Sequence, residues 1–389
     1  GAAEALPRLL RSGVMYGPNA SGKSTLIDAL DFMRRQVIHS AKESQANEKI
    51  DVVPFKLNQE SRESDSEFEI AFIQDGVRYQ YGFRCNQARI SEEWLFAYPH
   101  GRTQKWFQRA YDPETDTDQY RFSTALMGGR KRQDWKDQTR GNALFLSTAL
   151  QLNNEQLTPI LNWFQKRLCI IKAHQFLNLD DTMRRCREEQ GKQRVLQFMK
   201  AANLSIADIR IVTQTFSPDL LPPEMLTSLR DDISKKMVGK ELMYARFLHE
   251  DLETKEFVEF ERDEESDGTV ALFGFAGHWL DALEHERVLV VDELNASLHP
   301  LIVHYLVKLL HHEKRRAQLV FTTHDTTLLS QKILRRDQIW FMEKDNTNAT
   351  QIYPLSDFSP RDNEAIERGY LNGRYGGIPF LKDLDFHGQ

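Results

Sequence analysis

Polar and apolar residues alternate on both sides of Asp75-Gly76, a dipeptide typical of tight hairpin turns. The alternating apolar positions are Phe68, Ile70, Phe72, Val77, Tyr79, Tyr81 and Phe83. A period of two predicts paired antiparallel strands that each bury one face. Trp94-Leu95-Phe96 and Lys105-Trp106-Phe107 predict further strands of the same layer. Aromatic side chains can also stack on nucleic-acid bases, but at this period they favour packing in a core.

Apolar residues recur three or four positions apart in two other stretches, and this spacing indicates helices. The first stretch runs from residue 26 to about residue 40, and the second, mostly helical, runs from residue 151 to about residue 234. The recurring positions of the second are Leu157, Ile160, Leu161, Phe164, Val195, Leu196, Phe198 and Met199. Residues 243–247 and 257–260 then predict two strands.

Two short runs are apolar without interruption. Residues 288–291 precede the carboxylates Asp292 and Glu293, and the run that begins at Leu319 ends at His324. Strands of this kind are buried on both faces, as in a parallel sheet flanked by helices. Together the patterns predict an α/β fold, in which a mixed sheet contains these strands, an antiparallel β layer lies beside it and a helical lobe is inserted.

The composition narrows the possible functions. The chain has 389 residues and a formal net charge of −6, which argues against a wholly basic nucleic-acid binder. The net charge does not exclude a basic face on one part of the surface. Gly128-Gly129-Arg130-Lys131-Arg132 is expected to be a flexible solvated loop, and contact with phosphate is the alternative. No apolar run approaches the ~20 residues of a membrane span, so we expect no membrane partner.

The cysteines and the first residue lead to expectations about the redox state of the thiols and about the N-terminus. Cys85, Cys169 and Cys186 lie far apart and form no CxxC pair, which indicates reduced thiols in a cytoplasmic protein. The chain begins with Gly and not with Met, so we expect its native start to be missing, together with the residues that would stack on adenine.

The strongest chemical signal is Gly17-Pro18-Asn19-Ala20-Ser21-Gly22-Lys23-Ser24-Thr25, which fits the phosphate-loop pattern G-x-x-x-x-G-K-[ST]. Gly17 and Gly22 let the backbone turn tightly, so that its N–H groups point at phosphate oxygens. Lys23 reaches the β- and γ-phosphates, and the Ser24 hydroxyl is a ligand of Mg²⁺. A strand end precedes the loop and a helix follows it, and a helix N-terminus favours an anion. The remaining loop residues expected to bind the nucleotide are Asn19, Ser21 and Thr25.

Two strand ends supply the second half of the predicted site. Asp292 suits a direct or water-mediated contact with Mg²⁺, and Glu293 suits a base that takes a proton from the attacking water. His324 lies at the carboxyl end of another strand, where such sheets bind ligands, and is placed to donate to the γ-phosphate. Lys23, Glu293 and His324 are therefore the catalytic candidates.

The turn Glu265-Ser266-Asp267-Gly268-Thr269 opens a further apolar helix. Its N–H groups suit a phosphate, although a turn of this kind is usually only a helix cap. The order of phosphate loop, Ser-x-Gly turn, helix, Asp-Glu strand and His strand resembles ABC-type ATPase heads of the branch that contains SMC, RecF and OLD-type proteins. Ser266 and Gly268 match the Ser and second Gly of that family's LSGGQ signature, whereas Glu265 and Thr269 differ from it.

Other positions extend the resemblance. His324 matches the switch histidine, and Leu298-His299-Pro300 falls at the D-loop, where His299 replaces the Asp of transporter-like forms. Gln151 is identified as the Q-loop glutamine, which implies a role as a Mg²⁺ ligand, with Gln156 and Gln175 as alternatives.

Three segments resemble a narrower set of proteins. Asn142-Ala143-Leu144-Phe145-Leu146-Ser147, the turn of residues 265–269 and the stretch from Gly369 to Phe380 look like the ATPase subunits of phage-defence systems such as Septu, PARIS and some retrons. The resemblance covers residues 14–381 but lacks the long coiled coil of SMC proteins. Within the last segment, Arg374 lies among glycines and is compatible with catalysis, and packing of Tyr- and Gly-rich turns on the core is an equal alternative.

The resemblance implies an ATPase that uses ATP and Mg²⁺ and works as a homodimer or a higher oligomer. The Lys23 loop of one chain would hold ATP, while Ser266 and Gly268 of the other would cover the γ-phosphate. We expect one composite domain, made of a nucleotide-binding half with the β layer (1–150), the helical lobe with connecting strands (151–264) and a second nucleotide-binding half (265–389). The implied partner is a separate effector, a nuclease or toxin, in antiviral defence, and nucleic acid stays open as a partner.

Two other function classes are consistent with the same residues. One is a DNA-repair ATPase like RecF that acts directly on DNA, and the other is an ATP-regulated scaffold with little turnover. A transporter subunit fits least, because His299 and the β layer do not suit it.

Overall fold

The secondary structure largely follows the two periodicities of the chain. The computed structural model describes residues 6–43, 45, 47–173, 175, 178–221, 224–311, 316–330, 333–359 and 365–379, so that Phe380 and Leu381 lie outside it. The strands are β1 (Ser12–Tyr16), β2 (Ser66–Gln74), β3 (Val77–Cys85), β4 (Ile90–Tyr98), β5 (Gln104–Asp112), β6 (Thr117–Phe122), β7 (Leu168–Ile171), β8 (Asp208–Thr215), β9 (Glu241–Glu250), β10 (Phe257–Phe260), β11 (Val288–Val291), β12 (Gln318–Thr322), β13 (Ile339–Lys344) and β14 (Thr350–Pro354). The helices are α1 (Lys23–His39), α2 (Gln59–Glu63), α3 (Lys131–Gln138), α4 (Phe145–Gln151), α5 (Thr158–Asn162), α6 (Asp180–Cys186), α7 (Glu189–Ala201), α8 (Thr227–Met237), α9 (Asp267–His285), α10 (Pro300–Leu310) and α11 (Ile366–Leu371).

The chain divides into two compact units. The first unit comprises residues 1–170, 287–292 and 318–389, and the second comprises residues 171–286 and 293–317. The chain passes from one unit to the other at four places, one of which lies between Asp292 and Glu293. Among the described residues, no helix is long and apolar enough to cross a membrane.

A six-stranded mixed sheet in the first unit has the order β14-β13-β1-β12-β11-β7. β1 runs parallel to both β12 and β13, β11 runs parallel to β12, and β14 is antiparallel to β13. The apolar runs of β11 and β12 are therefore interior strands, as their composition predicts. The α/β fold class, with a mixed sheet that contains the phosphate-loop strand, is confirmed.

The alternating segment forms the predicted antiparallel layer, a five-stranded sheet of order β2-β3-β4-β5-β6. Asp75 and Gly76 have φ values of 49° and 76°, as the tight turn of a twisted hairpin requires. The inward side chains of β3 join a core that α1 shares through Ile27, Phe32, Met33 and Val37. The aromatic residues of β3 therefore pack in a core, as the period of two predicts.

A buried charged pair in this layer binds the backbone of the 142–147 motif. Glu93 on β4 and Arg109 on β5 are both fully buried. The Glu93 carboxylate accepts hydrogen bonds from the N–H groups of Phe145 (2.6 Å) and Leu146 (2.9 Å), which open α4. Arg109 donates to the carbonyl oxygen of Ala143 (2.7 Å). Burial raises the pKa of Glu93, and the Arg109 charge and the two N–H donors oppose that rise.

The same motif is bonded to the far end of α1, the helix that begins at Lys23. The Leu144 N–H donates to Ser40 Oγ (3.2 Å), and the Ala41 N–H donates to Ser147 Oγ (3.2 Å). The segment that resembles defence ATPases thus joins α1 to the antiparallel layer.

The stretch from residue 151 to about residue 234, predicted as mostly helical, contains the helices α5 to α8 and also two strands that were not predicted. β8 lies inside that stretch and pairs with β9, which also pairs with β10, in a three-stranded antiparallel sheet. β7 lies there too and joins the mixed sheet. Ile209, Ile211 and Val212 are β-branched and favour a strand, but their partner strand is distant in sequence and local periodicity does not register it. The strands predicted at residues 243–247 and 257–260 are confirmed by β9 and β10.

The basic segment of residues 128–132 is only partly a loop. Lys131 and Arg132 belong to the first turn of α3, which buries Trp135 (4% exposed) in the core. The prediction of a flexible loop was therefore wrong for these two residues, because a single buried tryptophan fixes a short helix. Cys85 and Cys186 are buried, and burial raises the pKa of both thiols to about 12.

Candidate nucleotide site

The phosphate loop joins β1 to α1 and approaches its neighbours so closely that two positions require glycine. A Cβ atom at Gly17 would lie 2.4 Å from the carbonyl oxygen of Met342. Gly22 has φ +99°, and a Cβ atom there would lie 2.4 Å from Thr350 Oγ1. Both glycines therefore allow a backbone path that no side chain could follow.

Lys23 is the first residue of α1 and is buried (7% exposed). Its Nζ donates to the carbonyl oxygens of Gly17 (2.7 Å) and Pro18 (2.9 Å), so the ammonium group lies within the loop. Ser24 and Thr25 follow in the first helical turn and are exposed. That turn contains no acidic residue, which leaves the positive end of the helix dipole available to an anion.

Ser21 provides an independent indication that the loop fits a phosphate ligand. Its side chain is buried, and among the described residues its Oγ has no hydrogen-bond partner. A buried hydroxyl without a partner is unfavourable unless a ligand or water satisfies it. The residues present therefore fit a nucleotide phosphate, with the Ser24 hydroxyl as the Mg²⁺ ligand that the loop pattern predicts.

Thr350, the first residue of β14, also contacts the phosphate loop and was not predicted as part of the site. Its hydroxyl donates to the carbonyl oxygen of Ser21 (2.9 Å), although the two residues are 329 positions apart in the chain. No motif marks Thr350, and nothing in the local sequence could have identified it.

The carboxyl ends of β1, β12 and β11 lie at one edge of the mixed sheet, since these strands are adjacent and parallel. Asp292 directly follows β11, is buried (4% exposed), and accepts a hydrogen bond from Thr322 Oγ1 (2.6 Å). His324 follows β12 after Thr323 and is exposed, so it lies in the loop beyond the strand. The loop of Gly17, Asp292 and His324 are thus brought to the same edge, where open α/β sheets bind ligands.

Glu293 belongs to the second unit and begins the turn after β11. Its φ of 55° lies in the left-handed region, which is uncommon for a glutamate and concentrates at functional sites. The carbonyl oxygen of Glu293 accepts a hydrogen bond from the N–H of Ala296 (2.9 Å). The chain thus turns sharply immediately after the two carboxylates.

Ser266 is the N-cap of α9, as the sequence predicts for a turn that opens a helix. Its Oγ accepts a hydrogen bond from the N–H of Thr269 (3.1 Å). A Cβ atom at Gly268 would lie 3.2 Å from the carbonyl oxygen of Ser297, so this glycine lies against the turn that precedes α10. His299, at the position that resembles the D-loop, is the N-cap of α10, and its Nδ1 accepts from the N–H of Leu301 (3.2 Å).

The three glutamines considered for the Q-loop have different surroundings. Gln151 is the last residue of α4 and is exposed. Gln156 is bonded to the backbone of Ala125 (2.8 Å) and Met127 (2.7 Å), and Gln175 accepts from the N–H of Lys172 (2.9 Å). Gln156 and Gln175 are therefore already bonded to nearby backbone groups.

A family model described as "AAA domain, putative AbiEii toxin, Type IV TA system" matches residues 14–160 and 161–330. No curated protein sequence matches the chain significantly.

Several solved structures are similar to the chain. One is an Smc head bound to the C-terminal winged-helix domain of ScpA (11% identity, 90% of this chain and 92% of that chain covered, TM-score 0.42). Another is the SMC head domain from Thermotoga maritima (13% identity, 88% and 89% covered, TM-score 0.35). A third is the recombination mediator RecF with ATP (12% identity, 89% and 94% covered, TM-score 0.30).

Proposed function

Because the chain belongs to the family described as "AAA domain, putative AbiEii toxin, Type IV TA system", we propose that it binds and hydrolyses ATP and thereby controls a separate effector. The observation that carries this proposal is the phosphate loop, with its buried Lys23 and its two obligatory glycines. Its buried Ser21 hydroxyl also has no hydrogen-bond partner among the described residues. Such a loop binds phosphate through backbone N–H groups and one ammonium group.

The roles of the remaining residues follow the chemistry of phosphoryl transfer. Mg²⁺ neutralises charge on the phosphates, and Ser24, Asp292 and Gln151 are its proposed ligands. Glu293 aligns and deprotonates the attacking water, and His324 donates to the γ-phosphate. Most of the rate enhancement then comes from positioning and charge stabilisation.

The proposed active form is a homodimer or a higher oligomer. Ser266 and Gly268 of one copy would cover the γ-phosphate bound by the Lys23 loop of another copy. The exposed end of α9 and the lack of a side chain at Gly268 support this role, because they leave backbone N–H groups accessible. ATP can favour the closed assembly only by binding it more tightly than the open one.

The proposed biological role is bacterial antiviral defence in the cytoplasm, in which the assembly state switches a nuclease or toxin. The family description names a putative toxin of a toxin–antitoxin system, which supports a toxic outcome in this role. The partner is proposed as a separate protein, because the sequence shows no second catalytic constellation.

Light scattering after gel filtration of the Glu293→Gln protein, with and without MgATP, tests the proposal. We expect ATP to bind without turnover and the mass to rise to a dimer or more only with MgATP. Lys23→Ala is the matched control and should keep the nucleotide-free mass in both conditions.

Mixing two inactive variants tests whether the site is shared. Lys23→Ala and Gly268→Arg should each lack ATPase activity, and an equimolar mixture should recover part of it, because one heterodimer site is intact. No recovery, with ATP still bound and a monomeric mass, would rule out the two-chain site.

Degradation of DNA or RNA by the chain alone would rule out a separate effector. DNA binding that requires ATP and weakens steeply with salt would favour direct action on DNA.

A further inference from the structure

The closing segment, defined as residues 365–379, contains α11 and a turn rich in glycine and tyrosine. Tyr370 and Tyr375 are buried, whereas Arg374 is exposed. The sequence left catalysis by Arg374 and packing on the core as equal interpretations. The contacts of the segment lead to two elements of the candidate nucleotide site.

The first of these elements is the loop that contains His324. Thr326, two residues after His324, donates through its hydroxyl to Glu367 Oε1 of α11 (2.9 Å). Asp325 shapes the same loop, since its carboxylate accepts from the N–H (3.0 Å) and the hydroxyl (2.6 Å) of Thr327. α11 therefore bonds directly to the short turn that follows His324.

Tyr16 on β1 bonds to this loop, and Tyr370 of α11 packs against the Tyr16 ring. The Tyr16 hydroxyl donates to the carbonyl oxygen of Asp325 (2.9 Å), and the Tyr16 ring centroid lies 5.6 Å from that of Tyr370. Burial raises the pKa of Tyr16 well above its usual value, and the Asp325 charge raises it further, so the hydroxyl keeps the proton it donates. Tyr16 directly precedes Gly17, the first residue of the phosphate loop.

The second element is the pair of strands β13 and β14. The Gly377 N–H donates to Glu343 Oε2 (3.0 Å) on β13, and the Tyr353 hydroxyl on β14 donates to the carbonyl oxygen of Tyr375 (3.0 Å). The Phe341 ring stacks on Tyr370, with centroids 5.3 Å apart and planes at 14°. The closing segment is thus bonded to both strands.

The glycines of the segment are explained by this packing. Gly376 has φ +68°, and a Cβ atom there would lie 2.4 Å from the Tyr353 hydroxyl oxygen. Gly377 has φ +64°. Gly376 therefore needs glycine for its close approach to β14 and its positive φ, and Gly377 needs it for its positive φ.

The turn between β13 and β14 connects this packing to the phosphate loop. Asp345 accepts from the N–H groups of Thr347 (2.8 Å) and Ala349 (3.0 Å) and from the Thr347 hydroxyl. These bonds and one from Gln351 lower the pKa of Asp345 to about 2, the Thr347 hydroxyl contributing most, so the turn keeps its charge at physiological pH. Thr350 ends the turn and donates to Ser21 of the phosphate loop (2.9 Å).

We infer that the closing segment positions the nucleotide site, with Glu367 and Tyr370 holding the loop of His324 and the Gly376-Gly377 turn holding the hairpin that bonds the phosphate loop. The inference rests on the proposed function, which assigns His324 and the phosphate loop their roles. Glu367 and Tyr370 are positioning residues, because each acts through another residue.

Substitutions at the Glu367–Thr326 bond test the inference. Glu367→Ala removes the acceptor, and Glu367→Gln keeps an oxygen that can accept the same bond. We expect Glu367→Ala to lower kcat for ATP hydrolysis about three- to tenfold with the Kd for ATP unchanged, and Glu367→Gln to recover it. Thr326→Val should match Glu367→Ala, and the double variant should lose no more, because both changes delete one bond.

Hydrogen exchange gives a readout that does not depend on turnover. We expect exchange of a peptide spanning residues 323–329 to accelerate in Glu367→Ala and in Thr326→Val. Arg368→Gln is the matched control, since it is the exposed neighbour of Glu367 in α11, and it should leave exchange and kcat unchanged.

Arg374→Ala decides between the two interpretations of the segment. Loss of turnover in Arg374→Ala, with unchanged exchange in Glu367→Ala, would make the segment catalytic and would overturn the inference. A chain that hydrolyses no ATP yet shows the exchange differences would overturn the proposed function and leave the positioning contact standing.

Discussion

The two sheets of the first unit differ in where their notable charged side chains lie. The mixed sheet is apolar along β11 and β12 and has Asp292 and His324 just beyond the strands, where loops begin. The antiparallel sheet encloses Glu93 and Arg109 within its strands, with no exposed surface on either.

The difference lies in what each charge binds. Glu93 and Arg109 are bonded to backbone groups of Phe145, Leu146 and Ala143, so they fix the fold of the chain. Lys23 also donates to backbone carbonyl oxygens, but these belong to the phosphate loop, in which the Ser21 hydroxyl has no hydrogen-bond partner among the described residues. Asp292 lies at the carboxyl end of β11. A buried charge is therefore a candidate for ligand binding when a polar group beside it lacks a partner, and a structural charge when it only fixes the backbone around it.

The largest expected effect is on stability, from Arg109→Met. Removing one partner of a buried pair leaves Glu93 charged and buried, so the free energy of unfolding should fall by about 3–5 kcal/mol, measured by urea denaturation. Arg84→Met, an exposed arginine paired with Glu67 and Glu92 in the same sheet, should cost less than about 1 kcal/mol. If the folded Arg109→Met protein also lost ATP affinity, Arg109 would not be a purely structural charge.

Lys23→Ala should have the largest effect on binding. Losing a charge-assisted contact with the phosphates should raise the Kd for ATP on the order of 100-fold, as measured by calorimetry. The free energy of unfolding without nucleotide should change less than in Arg109→Met. A loss of stability as large as that of Arg109→Met would place Lys23 with the structural charges.

Thr322→Val should lower the affinity for Mg²⁺, so that ATP hydrolysis needs a higher Mg²⁺ concentration, and should leave the fold intact. The variant deletes the hydroxyl that donates to Asp292, and loss of such an orienting partner typically costs at least about tenfold in metal affinity. A Mg²⁺ titration of ATP hydrolysis measures this change. Ser12→Ala is the control, because it removes a buried hydroxyl, bonded to Gln338, at the opposite end of β1. Equal Mg²⁺ curves for the two variants would contradict a metal role for Asp292.

The smallest expected effect is a pH dependence from Glu93. Its folded-state pKa is raised above the ordinary value of 4.5, chiefly by burial. The stability it contributes is therefore fully present below the unfolded-state pKa and is lost as the pH rises through the folded-state pKa. The stability of the parent relative to Glu93→Gln should increase as the pH is lowered from neutral to below that ordinary value, in parallel urea titrations. A difference that shrinks on acidification would mean that the Arg109 charge outweighs burial.

Local sequence determined most of the helices and strands and the residues that follow the strands of the mixed sheet. The phosphate loop needs its glycines and its lysine at fixed spacing, so a short pattern identifies it. The period of two identified β2 and β3, and uninterrupted apolar runs identified β11 and β12, because both patterns record how many faces of a strand are buried. The acidic pair Asp292 and Glu293 and the residue His324 were found by their places after such runs.

Tertiary structure decided which distant groups meet. Thr350 and Ser21 are 329 positions apart, and Tyr16 and Asp325 are 309 positions apart, so no local pattern contains either bond. β8 became a strand because β9 supplies its hydrogen bonds, and Lys131 and Arg132 became helical because Trp135 found a buried site. Backbone propensity acts over a few residues, whereas hydrogen-bond pairing and burial depend on the closed chain, and for this reason the positioning contacts of the site appear only in the fold.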